Sequence, residues 1–132
     1  MEFTLKIIPP SCTAQEKKVT IQNGRPMFYE DKKLKAARNL LIMALSQYRP
    51  DAPMDGALSL TVEWRFQTKS HPEGSYRITR PDTDNLQKLL KDCMTQSGFW
   101  HDDSQVCRET VTKRWSLVLP GISIKVVRLD AD

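Results

Sequence analysis

The sequence predicts an α+β fold in a single domain, a mixed sheet with two main helices packed on one face. Three observations carry this prediction. Apolar and polar residues alternate in several separate stretches, apolar residues recur at helical spacing in only two, and the order is strand, hairpin, helix, strand, helix, strand, strand. A chain of 132 residues suits one hydrophobic core and is too short for two, so residues 1–132 form one domain.

Residues 2–8 read as a strand, stopped by Pro9-Pro10. Lys18-Val19-Thr20-Ile21 and Pro26-Met27-Phe28-Tyr29 flank Asn23-Gly24, the dipeptide that favours a tight hairpin turn. From Asp31 the period changes. Leu34, Ala37, Leu40, Leu41, Ala44 and Leu45 mark one face of a helix that runs to about Tyr48 and ends at Arg49-Pro50. Ala57 to Phe66 alternates again, with Leu58, Leu60, Val62, Trp64 and Phe66 on one side of a strand. Gln67 to Arg80 is a long polar connection without an apolar period, of a length that points to function or mobility.

The second helix spans 84–97. Leu86, Leu89, Leu90, Cys93 and Met94 form its apolar stripe, Asp84 is placed as N-cap and Gly98 as the stop. Asp84, Lys88, Lys91, Asp92 and Thr95 fall on the opposite side. Val106 to Leu119 and Gly121 to Leu129 read as two closing strands.

No apolar run reaches the roughly 20 residues that span a bilayer, and the alternating N-terminus lacks the parts of a secretory signal. A cytoplasmic protein is expected. Cys12, Cys93 and Cys107 are odd in number and irregularly spaced, which fits buried or half-buried free thiols rather than a disulfide framework or a zinc site.

The formal net charge is +4. Its distribution is more informative than its size. Asp82, Asp84, Asp92, Asp102 and Asp103 are five of the 16 acids and lie within residues 82–103, while Lys69, Arg77, Arg80, Lys88 and Lys91 surround them in sequence. An acidic spot inside a basic surround suits a polyanion gripped by its phosphates while a metal acts on one of them; a solvated charged face is the plainer alternative.

Each acid has two readings. Asp84 serves as a helix cap or as a ligand, and Asp102-Asp103 is an acidic turn or part of a metal site. Asp82 is harder to explain as a cap, because one cap is sufficient and a second carboxylate adds repulsion. Asp103 reaches Asp82 only if the chain folds back along the helix as the next strand. Converging carboxylates would form an all-oxygen site for Mg2+ or Mn2+. Lys88 would then set a positive charge near the developing phosphate charge, or pair with Asp84 at i,i+4.

Other chemistries fit poorly. An EF-hand fails because Leu86 and Gln87 occupy the positions that need an oxygen ligand and a glycine. A D-x-D glycosyltransferase would need a nucleotide-binding βαβ unit and more chain. Neither a nucleophile elbow nor a glycine-rich phosphate loop is present. Trp64, Phe66, Phe99, Trp100 and Trp115 have the chemistry to stack on bases, but their positions favour the core.

Arg80-Pro81-Asp82-Thr83-Asp84-Asn85-Leu86-Gln87-Lys88, then Asp92, Gly98-Phe99-Trp100 and Asp102-Asp103-Ser104-Gln105-Val106, resembles the signature of the RusA-type Holliday junction resolvases. These are small endonucleases, mostly encoded by phages or prophages. The resemblance implies an α+β homodimer that binds four-way DNA junctions and nicks two strands symmetrically with Mg2+ or Mn2+, in a bacterial or phage-infected cell. By position it implies Asp82, Asp84 and Asp103 as metal-binding aspartates and Lys88 as the essential lysine, with Asp102 the neighbouring acid. Pro81 stands where a basic residue often precedes the first aspartate, and Arg80 lies one position earlier. A metal nuclease for flaps or other branched DNA, and a non-catalytic DNA-binding phage protein, are the alternatives.

Overall fold

The computed structural model describes residues 1–13, 18–22, 25–29 and 32–130. Six strands and two helices follow in the order β1 (Glu2–Leu5), β2 (Lys18–Gln22), β3 (Arg25–Tyr29), α1 (Lys32–Ser46), β4 (Leu58–Gln67), α2 (Thr83–Gln96), β5 (Val106–Ser116) and β6 (Gly121–Arg128), with a 3-10 turn at Asp103–Gln105 before β5. β2 and β3 pair antiparallel as a two-stranded sheet, as expected of a hairpin. The Asn23-Gly24 turn and the Asp31 helix start lie outside the described residues.

The other four strands form one mixed sheet in the order β1-β6-β4-β5. β6 runs antiparallel to β1 and β4, and β4 runs parallel to β5. A parallel pair needs a crossover, and α2 supplies it. β4-α2-β5 is therefore a βαβ unit, which the sequence reading did not foresee because α2 and its long entry loop separate the two strands.

One face of the sheet is apolar. Leu58, Leu60, Val62, Trp64 and Phe66 of β4 are buried, and so are Ile122, Ile124 and Val126 of β6. Leu34, Leu41 and Leu45 of α1 and Leu86, Leu89, Leu90, Cys93 and Met94 of α2 close the core over them. On the opposite face of β4, Ser59, Thr61, Glu63 and Arg65 stay half-buried or exposed. Both helices thus cover one side, as the periodicities require. Phe99 and Trp100 are also core, 0% and 1% exposed, so neither is available to stack on a base.

Three boundaries differ from the sequence reading. β1 stops at Leu5 rather than residue 8 because its partner strand ends there: Leu5 faces Ile122, one residue from the start of β6. β5 stops at Ser116, whose hydroxyl turns to accept the Leu119 amide at 2.9 Å. α2 begins at Thr83 with Asp82, not Asp84, at the N-cap. At its other end Gly98 takes φ +83° and the Phe99 amide reaches back to the Met94 carbonyl, a helix stop that favours glycine. Cys12, Cys93 and Cys107 form no disulfide; Cys12 is half-buried and Cys93 buried, as expected, but Cys107 is exposed on the edge strand.

Candidate active site

The rotation of α2 on the sheet sets which side chains face outward. Gln87 is buried, and its amide oxygen accepts the indole N–H of Trp64 at 2.9 Å. Its amide nitrogen donates to Glu109 of β5 at 2.8 Å, and Lys91 pairs with the same carboxylate at 3.1 Å. This chain from core to edge strand leaves Asp84 and Lys88 exposed, one turn apart on the outer face.

Asp82 and Asp84 sit at the N-terminal end of α2, where the helix dipole favours negative charge. The cap geometry of Asp82 is extended, φ −74° and ψ 152°, yet its side chain makes no cap hydrogen bond. Asp84 lies in the first turn without a cap role. Neither residue caps the helix by a side-chain hydrogen bond; their part in it is the charge they place at its N-terminus.

The entry to Asp82 is braced. Lys113 of β5 donates from Nζ to the Thr79 and Pro81 carbonyls, both at 2.8 Å. Burial, then Arg77, lower the Lys113 pKa, and Asp82 opposes them. Sequence reasoning missed Lys113 because it lies 32 residues from Pro81; only the parallel placement of β5 brings it there.

The long connection before α2 is laid along the edge of β5 rather than free. Gly74 N–H donates to Trp115 O, Trp115 N–H to Ser75 O and Arg77 N–H to Lys113 O. The Arg77 guanidinium lies over Phe66 at 4.4 Å and Trp115 at 4.5 Å, and burial lowers its pKa. His71 stacks on Trp115 with ring centroids 4.5 Å apart. Arg114 covers Tyr76. Of the basic residues read as a DNA surround, Arg77 and Lys91 are thus engaged within the fold, while Lys69, Arg80 and Lys88 are exposed.

Asp102 and Asp103 occupy the other end of α2. Asp102 caps the 3-10 turn, accepting the Ser104 amide at 3.3 Å, and Gln105 accepts the Asp102 and His101 amides in return. The Ser104 amide, followed by Asp103, holds the Asp102 pKa down. Asp103 is pushed up, first by its hydrogen bond with Asp102, then by burial and by the charges of Asp102 and Asp92. Gln105 also donates to the Met54 and Gly56 carbonyls, and His101 meets Asp55 at 2.8 Å, so the loop before β4 is stitched to this corner.

Within one chain the four acids do not meet. β5 runs parallel to β4, so the turn that opens it lies at the end of the sheet where α2 finishes. The 14 residues of α2 span about 20 Å, and Asp102 and Asp103 lie beside Asp92, Thr95 and Gln96 toward its C-terminal end. Among the described residues no group of three His, Cys, Asp or Glu side chains is placed to hold a metal ion. β5 does fold back along α2, but it begins just after Asp103, so within one chain the return brings Lys113, not Asp103, to the Asp82 end.

The comparisons with known proteins cover nearly the whole of this architecture. The profile of the family described as Endodeoxyribonuclease RusA matches residues 8–127. A crossover junction endodeoxyribonuclease rusA of Lactococcus phage r1t is 28% identical over 109 residues, 80% of this chain and 81% of the phage protein. The uncharacterized protein YqaN of Bacillus subtilis is also 28% identical over 109 residues, 74% of this chain and 76% of its own. Crossover junction endodeoxyribonuclease RusA of Escherichia coli K12 is 36% identical over 63 residues, 48% of each chain. A match that takes in both acidic ends of α2 and the strands that position them makes this chain a member of the RusA family of endodeoxyribonucleases.

Proposed function

We propose that the protein is a divalent-metal-dependent endonuclease that resolves four-way DNA junctions by paired nicks, acting as a homodimer. The observation that carries this reading is the pair of exposed carboxylates, Asp82 and Asp84, held without a capping duty at the N-terminus of α2. The donor chemistry fits Mg2+ or Mn2+, since every candidate ligand is a carboxylate oxygen.

One chain supplies only half of such a site. Two chains related by a two-fold axis, with their α2 helices side by side and reversed, place the Asp82–Asp84 end of one against the Asp102–Asp103 end of the other. A junction presents two equivalent strands, so a two-fold pair of shared sites also matches the substrate.

In this arrangement Asp82, Asp84 and Asp103 would hold the ion, which when bound supplies Lewis acidity and a more acidic water. Lys88, exposed one turn after Asp84, sets a fixed positive charge toward the phosphate as its charge develops. Lys113 holds the carbonyls that lead into Asp82 and so positions that carboxylate. Lys69 and Arg80 are placed to grip flanking phosphates.

The test is cleavage of an immobile four-way junction with Mg2+ and with chelator, beside flap and duplex controls. Metal-dependent symmetric nicking of the junction is expected, and Asp82→Asn should bind it without cutting. Cutting that survives chelation, or wild-type cutting by Asp82→Asn, would reject the assignment. Preference for flaps would move the substrate to other branched DNA.

A further inference from the structure

We propose that Lys32, Lys35 and Arg38 of α1 form a phosphate-binding ridge that leads one DNA strand to the Asp102–Asp103 end of α2. The proposal rests on the reading of Asp103 as part of a metal-dependent nuclease site, and it names a helix that grips the substrate of that site.

α1 carries four cations, Lys32, Lys33, Lys35 and Arg38, and no acid. Glu30 and Asp31 precede it in sequence and lie outside the described residues. A helix is stabilised by an acid in its first turn and by acid–base pairs three or four residues apart. α1 has neither within its span. Lys32 and Lys35, then Lys35 and Arg38, instead set like charges three residues apart in the half where the helix dipole is positive. Helix stability does not account for such a row, whereas a polyanion laid along it offsets the repulsion.

Each step of three residues turns back by about 60° around the helix. The row therefore starts on the outward face and drifts to the helix margin. Lys32 and Lys35 are exposed and Arg38 is half-buried, while Leu34, Ala37, Leu41 and Leu45 face the core. The margin that Arg38 reaches is the seam with α2. Its carbonyl accepts the Cys93 thiol at 3.9 Å, and Arg38 lines a cavity of about 300 Å3 with Asp92, Thr95, Gln96, Asp102 and Asp103.

These charges complement a DNA strand. Six residues of helix rise about 9 Å, the length of roughly three nucleotides along one strand. Three cations on that rise meet successive phosphates. The last of them holds a phosphate beside carboxylates whose charge would otherwise repel the strand, and a guanidinium suits that contact because it grips phosphate with two N–H groups at once. The occupant is the sugar–phosphate backbone rather than an acidic peptide, because the row ends at the acids read as part of the cutting site.

Binding of the full chain to an immobile four-way junction, read by fluorescence anisotropy in chelator across a salt series, tests this. Lys32→Ala, Lys35→Ala and Arg38→Ala should each reduce the slope of log affinity against log salt by about 1, and the triple variant by about 3. Alanine favours the helix, so circular dichroism should be unchanged. If the triple variant does not fold, the single variants decide. Arg38→Lys keeps the charge and should keep the wild-type slope, which separates a phosphate contact from packing of the arginine stem. Lys125→Ala is the control: Lys125 is exposed between the buried Ile124 and Val126, on the face of the sheet away from the helices, and its loss should leave the slope unchanged. Ridge variants with the wild-type slope would overturn the ridge and leave the junction nuclease standing. An equal drop in Lys125→Ala would do the same, since net charge rather than position would then set the slope. A wild type that binds the junction without salt dependence, or does not bind it, would overturn both.

Discussion

At the N-terminal end of α2 the carboxylates of Asp82 and Asp84 are exposed and act on the fold through charge rather than a capping hydrogen bond, whereas at the C-terminal end Asp102 caps a turn and Asp103 leans on it through a hydrogen bond. The contrast separates an acid bonded into the fold from acids that meet it only through their charge. Asp102 contributes to structure by accepting an amide. Asp82 and Asp84 contribute nothing of that kind, and two like charges two residues apart have a cost unless a cation offsets it. Asp103 stands between these cases, since its neighbours Asp102 and Asp92 crowd it with negative charge.

Substitutions break this contrast in graded ways. Asp82→Asn, Asp84→Asn and Asp103→Asn should each lower junction cleavage by on the order of 10²–10³-fold, while the melting temperatures of the first two fall by no more than a few degrees, the small effect of a charge at a helix N-terminus. A large stability loss for either would mean that the N-terminal acids are structural after all. Next in size is Gln87→Leu, which joins the two ends by fixing the rotation of α2. It leaves the buried Trp64 N–H without a partner and should cost about 1–3 kcal/mol in urea unfolding. An unchanged midpoint would show that the apolar stripe alone sets that rotation.

Asp102→Ala should reverse the pattern seen at the other end, lowering the melting temperature by a few degrees while cleavage is largely retained. Loss of cleavage without loss of stability would make Asp102 a ligand. The smallest effect concerns the connection that braces the N-terminal end. The Leu117 amide and the Ser116 hydroxyl lower the Glu73 pKa below its ordinary 4.5. Stability from this group is therefore fully present above about pH 4.5 and is lost as pH falls through the lower folded value. Glu73→Gln should flatten the pH dependence of the urea midpoint in that acid window, and an unchanged slope would count against the brace.

The apolar periods made most of the fold legible. Leu58 to Phe66 declared one buried strand face and Leu86 to Met94 one buried helix stripe, because burial selects residue type at a fixed period. The parallel pairing of β4 with β5 was not legible, since strand direction depends on which end of the sheet a loop returns to. That hidden choice governs the site. It separates Asp103 from Asp82, brings Lys113 to Pro81 and lays Arg77 over the rings of Phe66 and Trp115. The candidate acids could be named from their spacing, but that one chain keeps the two pairs at opposite ends of α2 could not.

Complementation between inactive chains tests the shared site most directly. Asp82→Asn and Asp103→Asn chains carrying different tags would be co-expressed, and the mixed dimer isolated. A shared site places both substitutions in one of the two sites and leaves the other intact, so the mixed dimer should nick junctions at about half the wild-type initial rate, while each parent stays inactive. A mixed dimer as inactive as its parents would contradict the account, because it would put Asp82 and Asp103 of the same chain in the same site.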